Sequence, residues 1–256
     1  MSKRVSRKAL KNEMLMSEFT ENNVVAIKQG SRKKSWNVLD IKSIKPMNEK
    51  QRAMIESYFM GNHIVATGSP GTGKSFLALW LALNTIFSKE FNQNKIIIVR
   101  SIITTGKSLG ALPGDLDEKT APFEAPYRDI CHDLVGKYSS YDDLKEAGKI
   151  EFMPTSFIRG LSWDNAIVII DECQNFSWDE LKSVMTRLSG NSKLVIIGDK
   201  AQGDLQYEHK VVSGFDKFMK VMNRMDEVDI IYFQKEDIVR SKFVKNFIIA
   251  CEDLGL

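Results

Sequence analysis

The sequence predicts an α/β fold built on a mostly parallel sheet flanked by helices, and three observations carry that prediction. Apolar runs of strand length recur along the chain and are near-continuous in Ile and Val, the composition of strands covered on both faces. Segments of helical period separate them, as crossovers between parallel strands require. A glycine-rich stretch, GSPGTGKSF (Gly68 to Phe76), stands between one such run and one such segment.

Residues 1–45 stand apart from this pattern. They hold eleven Lys or Arg against four Asp or Glu, a local charge of +7, whereas the remaining 25 basic and 29 acidic residues leave −4. A basic arm suits a phosphate backbone, and equally a solvated tail. Two alternating stretches within it, NVVAIK and WNVLDIKSIK, read as an edge hairpin or a small flap.

From Pro46 onward, residues 46–256 read as one domain. Strands are expected at HIVAT (63–67), KIIIV (95–99), KIEFM (149–153), AIVII (166–170), KLVII (193–197) and DIIYF (229–233). Helices are expected over Gln51–Phe59, Lys74–Phe87, Phe215–Met222 and Phe243–Glu252. One more is expected over 178–188, where Ser177 and Glu180 form a capping box and Trp178, Leu181, Val184, Met185 and Leu188 share a face. The roughly fifty residues between KIIIV and KIEFM include SIITTGKSLGALPGDLDEKTAPFEAPY and read as a long irregular excursion, the kind of segment that carries function.

The chemistry starts at the glycine-rich stretch. Gly68, Gly73, Lys74 and Ser75 satisfy GxxxxGK[ST], a loop that wraps a triphosphate when a strand precedes it and a helix follows. Glycine lets consecutive N–H groups face phosphate oxygens, and the helix N-terminus adds a favourable dipole. Gly68, Ser69, Pro70, Gly71, Thr72, Gly73, Lys74, Ser75 and Phe76 are therefore nucleotide-binding candidates, Lys74 for the β and γ phosphates and Ser75 for Mg²⁺.

The run AIVIIDECQNF ends in two carboxylates. Asp171 at the mouth of a parallel strand is placed to hold Mg²⁺, and Glu172 to act as general base on the attacking water. In KLVIIGDKAQGDL the neutral amide of Gln202 is a candidate γ-phosphate sensor, with Asp199 fixing the loop. Gln51, with donor and acceptor on one amide, is a candidate reader of the adenine N6 and N7 edge.

No apolar run approaches the roughly 18 residues of a membrane span, and the N-terminus lacks a secretory core, so a cytoplasmic protein is expected. Cys131, Cys173 and Cys251 form no CxxC pair, and the three histidines show no ligand spacing, which argues against a disulfide framework or a zinc site.

With these residues in place the chain resembles the PhoH-like proteins, P-loop ATPases related to the core of superfamily 1 helicases. The resemblance runs from Asn48 to Glu252 on GSPGTGKS, LGALPGDLDEK, IRG, IIDECQN, TRL, GDKAQGDL and DIVR, with Cys173 standing where the family usually has Ala. It implies a single RecA-like domain that hydrolyses ATP and acts on nucleic acid, often RNA, and it agrees with the roles given to Lys74, Ser75, Asp171, Glu172, Gln202 and Gln51. It also singles out Arg159, Arg187 and Arg240.

At this length a second RecA-like domain, as in a monomeric helicase, is not expected, so a ring-like homo-oligomer, a hexamer among the candidates, is expected to complete the site. Arg240 is the first candidate for an arginine finger and Arg187 the second. The excursion lies where helicase relatives touch single strands, making Thr104, Thr105, Lys107 and Arg159 candidate contacts to RNA or single-stranded DNA. The competing readings are an ATP-gated nucleic-acid scaffold without motor activity and a small-molecule kinase, the latter disfavoured because the acidic pair and Gln202 suit the activation of water.

Overall fold

The computed structural model describes residues 40–102, 116–199 and 213–254, without the side chain of Leu116. Six strands, β1 (His63–Gly68), β2 (Lys95–Arg100), β3 (Ile150–Pro154), β4 (Ala166–Asp171), β5 (Lys193–Gly198) and β6 (Val228–Phe233), form one sheet in the order β3-β2-β4-β5-β1-β6. Every pair is parallel. The helices are α1 (Glu49–Met60), α2 (Lys74–Phe87), α3 (Leu116–Val135), α4 (Ser140–Glu146), α5 (Trp178–Met185), α6 (Phe215–Met222) and α7 (Lys242–Leu254).

The near-continuous Ile and Val runs have the predicted cause, since alternate residues of each central strand enter different cores. Ile64, Ala66, Ile96, Ile98, Ile167, Ile169, Val195 and Ile197 pack under α1, α2, α3 and α4. Val65, Ile97, Val99, Val168, Ile170, Leu194 and Ile196 pack under α5 and α6. The sheet therefore has no solvent face at its centre, and its functional groups are carried by the loops at the strands' carboxyl ends.

Two expectations are corrected. The excursion after β2 is not irregular throughout, because α3 and α4 occupy much of it. Pro122 and Pro126 lie inside α3, where each removes a backbone donor, yet Thr120, Glu124, Tyr127, Cys131 and Leu134 form one buried face at alternating spacings of four and three. Burial of that face outweighs the two lost bonds. Glu124 accepts from Thr120 Oγ1 at 2.6 Å and from Lys145 Nζ of α4 at 3.1 Å, so a buried carboxylate joins the two helices.

The second correction concerns α5, which keeps its capping box but stops at Met185 rather than 188. Residues 187–189 are drawn into pairing with another segment. The Trp163 N–H donates to the Arg187 carbonyl at 2.8 Å, the Ser189 N–H donates to the Trp163 carbonyl at 2.9 Å, and Leu188 bridges Trp163.

Of the alternating stretch WNVLDIKSIK, only residues 40–45 are described, and they form no strand. Ile41 is buried in the first core, the Lys42 N–H donates to the Leu134 carbonyl at 2.7 Å, and the Lys42 carbonyl accepts from Trp80 Nε1 at 3.0 Å. This segment straps α2 to α3 beside the phosphate loop.

Candidate functional site

The loop between β1 and α2 follows from backbone geometry. Gly68 adopts φ +111°, and a Cβ there would lie 1.9 Å from the Phe233 carbonyl oxygen, so no other residue lets β1 run this close to β6. The next N–H, of Ser69, donates to that same oxygen at 3.1 Å. Two further ties fix the loop: Gln51 Nε2 donates to the Thr72 carbonyl at 2.9 Å, and the Val239 N–H donates to the Gly71 carbonyl at 3.0 Å. The N-cap of α2 is Gly73, which offers no side-chain cap, so the first N–H groups of the helix keep their capacity to meet an anion.

Lys74 is buried, and its Nζ donates to the carbonyls of Gly68 and Ser69, each at 2.7 Å. Burial pulls its ammonium below the usual lysine range, while the negative charges of Asp199, Glu172 and Asp171 push it back up. The charge is thus held over the loop by its own backbone, ready to exchange two carbonyls for phosphate oxygens.

Across the sheet end, Ser75 Oγ lies 3.3 Å from both Asp171 carboxylate oxygens. Tyr127 of α3 donates to Asp171 Oδ2 at 2.7 Å, and the Glu172 N–H donates to Oδ1 at 3.0 Å. A hydroxyl and a carboxylate so close together fit a hard divalent cation such as Mg²⁺, which takes one or two protein oxygens and completes its shell with phosphate and water. Among the described residues no group of three or more His, Cys, Asp or Glu could hold a metal unaided.

Glu172 has φ +55°, a left-handed conformation uncommon outside glycine and concentrated at functional sites. It turns the chain at the end of β4, and Glu172 lines the same cavity as the phosphate loop. Gln174 Nε2 donates to Glu172 Oε2 at 2.6 Å, and Arg100 Nη2 stands 3.9 Å from Oε1. Burial and the neighbouring Asp171 charge raise the Glu172 pKa; the Gln174 hydrogen bond, Arg100 and Lys74 offset part of that. A carboxyl moved upward in this way is a better proton acceptor than a free one.

These groups surround one cavity of about 810 Å³, lined by the loop from Pro70 to Phe76, by Asp171, Glu172 and Asp199, and by Arg240. Its far side is formed by the strap (Lys42, Ile44) and by α3 (Pro126, Ile130). Gln51 lines it too, but both ends of its amide are engaged within the chain: Oε1 accepts from the Met47 N–H at 2.8 Å while Nε2 holds Thr72.

The arginines separate. Arg240 lies at its own chain's phosphate loop, where a Cβ on Gly71 would come within 2.9 Å of its Cγ. Arg187 stands away from the cavity, its Nη1 3.5 Å from the Leu161 carbonyl, and Arg159 is exposed beyond the end of β3. Thr104, Thr105, Lys107 and Gln202 lie outside the described residues, as does most of the basic arm.

Three residues that touch the acidic pair escape sequence reasoning: Arg100, Tyr127 and Gln174. Arg100 ends an apolar run and reads as its boundary. Tyr127 sits in a Pro-rich stretch whose helical spacing is visible only if the polar Thr120 and Glu124 count as buried. Gln174 gives no sign alone, because its second partner comes from a different strand.

Comparison with known proteins agrees with this geometry. The chain is 35% identical over 203 residues to a PhoH-like protein of Synechocystis, covering 79% of this chain and 60% of that one. It is 35% identical over 209 residues to a PhoH-like protein of Bacillus subtilis (82% and 64%), and 34% identical over 203 residues to Protein PhoH of Escherichia coli K12 (79% and 56%). It thus spans about 60% of the length of these relatives. A solved structure of the Pif1 helicase from Candida albicans shows a loose likeness, with a TM-score of 0.42 at 18% identity over 83% of this chain and 44% of that one. The PhoH-like protein family model matches residues 43–252, and with a P-loop and an acidic strand end facing one cavity on a parallel sheet, this chain belongs to the PhoH family.

Proposed function

We propose that the chain is a Mg²⁺-dependent ATP hydrolase that couples turnover to RNA or single-stranded DNA and works as a homo-oligomer. The observation that carries the hydrolase reading is the pairing across one cavity of a phosphate loop with two carboxylates, Asp171 beside Ser75 and Glu172 raised in pKa and lining the same cavity.

In this reading the α2 N-terminus and Lys74 bind the β and γ phosphates, and Ser75 with Asp171 holds Mg²⁺, whose bound charge would neutralise the phosphate oxygens. Glu172 orients a water in line with the γ phosphorus and takes its proton, with Gln202 as the hydrogen-bonding sensor of the γ phosphate. Arg240, lying against Gly71 of the same chain, acts on that chain's own nucleotide, so a finger from a neighbouring copy would be a different arginine. Gln51 serves the site first by fixing Met47 and Thr72, and adenine recognition through it would require one of those bonds to be exchanged.

The nucleic-acid part of the reading rests on the exposed Arg159 beyond the end of β3, on the proposed contacts Thr104, Thr105 and Lys107, and on the basic arm. Phosphate release measured with and without single-stranded RNA or DNA tests it, with Lys74→Ala and Glu172→Gln as controls. Stimulation of wild-type turnover is expected. Binding of the strand with no change in turnover would favour an ATP-gated scaffold instead.

A further inference from the structure

Among the residues around Glu172, Gln174 has the most demanding set of contacts. It is 1% exposed, and every polar atom of its side chain has a partner. Nε2 donates to Glu172 Oε2 at 2.6 Å, while Oε1 accepts the Asp199 N–H at 2.8 Å. Its backbone carbonyl accepts from Ser213 Oγ at 2.7 Å. The orientation of the amide is fixed by chemistry: a backbone N–H can only donate, so the atom facing Asp199 must be the oxygen, and the NH₂ is left for the carboxylate.

The contact crosses from the end of β4 to the end of β5. Gly198 leaves this contact uncrowded: a Cβ there would stand 3.0 Å from the Phe215 ring, 3.1 Å from Cys173 Cβ and 3.3 Å from Gln174 Oε1, and would push on all three. Glu172 itself is set by a left-handed backbone, and Arg100 Nη2 stands 3.9 Å from its Oε1. Among the described residues, removing the amide leaves the Glu172 carboxylate with the 3.9 Å contact to Arg100.

We propose that Gln174 is a positioning residue for hydrolysis: its amide aims the Glu172 carboxylate and ties that aim to the position of the β5 end. The proposal rests on the ATPase reading above. No other side chain of this size supplies one donor and one acceptor at this spacing. Glutamate keeps the acceptor for Asp199 but turns a donor to Glu172 into a second carboxylate, and methionine loses both.

The test compares kcat and KM for ATP in wild type, Gln174→Glu, Gln174→Met, Glu172→Gln and the double substitution Glu172→Gln with Gln174→Glu, together with thermal unfolding of each. Gln174→Glu and Gln174→Met are expected to lower kcat by roughly 10- to 100-fold with KM within about twofold, the pattern of a lost transition-state contribution. The double substitution restores a donor and acceptor pair with reversed direction. It is expected to recover the unfolding temperature lost in Gln174→Glu while turning over no faster than Glu172→Gln. Should Gln174→Met fail to fold, Gln174→Glu, which keeps the Asp199 bond, supplies the answer. Unchanged kcat in either folded variant, or a loss in the double substitution well beyond that of Glu172→Gln alone, would overturn the proposal. No turnover by wild type would instead overturn the ATPase reading, and this proposal with it, whereas an active wild type no faster than Glu172→Gln would overturn the proposal alone.

Discussion

Tyr127 shows how much of the site depends on single polar contacts in a dry environment. Its hydroxyl is buried, its pKa is driven well up by burial and by the Asp171 charge, and at 2.7 Å it can only be the donor to Asp171 Oδ2. The carboxylate that faces Ser75 is therefore aimed by a residue from α3, outside the loop and strand that carry the recognisable motifs. Groups that orient a metal-binding carboxylate commonly change metal affinity by about 10-fold or more when removed. Tyr127→Phe keeps the ring and its packing but deletes the hydroxyl. We expect it to raise the Mg²⁺ concentration that half-saturates turnover by about 10-fold, read from a Mg²⁺ titration at fixed ATP; an unchanged midpoint would mean that Asp171 is aimed by its other neighbours. Lys74 shows a similar economy, since its burial is offset by the same carboxylates it faces across the cavity.

At the scale of elements, the contact between β1 and β6 decides whether the phosphate loop can form. Gly68 is the last residue of the β1–β6 ladder and the first of the loop, at φ +111° with the Phe233 carbonyl in the space a Cβ would need. Gly68→Ala has to separate the two strand ends or reverse the local backbone. We expect a loss of roughly 3 kcal/mol or more in thermal or denaturant unfolding, together with loss of nucleotide binding. A folded Gly68→Ala protein of wild-type stability would show that the loop has another accessible geometry.

The same scale explains what the sequence discloses. The strands are legible because each central one is apolar on both faces, and α5 declares its start through Ser177 and Glu180. The phosphate loop and acidic pair are legible because their chemistry is contiguous along the chain. Helix α3 is hidden because two of its buried positions, Thr120 and Glu124, are polar and two prolines interrupt its interior. The end of α5 is hidden because Trp163, a residue from an earlier segment, captures Arg187 and Ser189. Gln174 and the position of Arg240 are hidden for a related reason: each depends on a partner from another strand or loop, and that neighbourhood is fixed only by the strand order.

For the molecule as a whole, that order places the chemistry. β5 lies between β1, which carries the phosphate loop, and β4, which carries Asp171 and Glu172, so the two halves of the site face each other across the end of one intervening strand. Gly198 ends that strand and lines the cavity between them. A crevice at the carboxyl ends of a parallel sheet is the usual place for a ligand in such folds. The strap from 41–45, α3 and the segment around Val239 close its remaining sides, so these three separate parts of the chain must dock before the cavity is complete. Among the described residues no helix is long and apolar enough to cross a membrane. Helix α7, which follows Arg240 by one residue, exposes Phe243 and Phe247.

The central claim is that this cavity hydrolyses ATP with Glu172 as the base. It is tested most directly by phosphate release at saturating Mg²⁺ and ATP, comparing wild type with Glu172→Gln while nucleotide binding is measured on the same samples. The account predicts release by wild type, a loss of about 100-fold or more in Glu172→Gln, and nucleotide affinity retained in both. Equal release from the two proteins, or binding of ATP by wild type with no release at all, would contradict it.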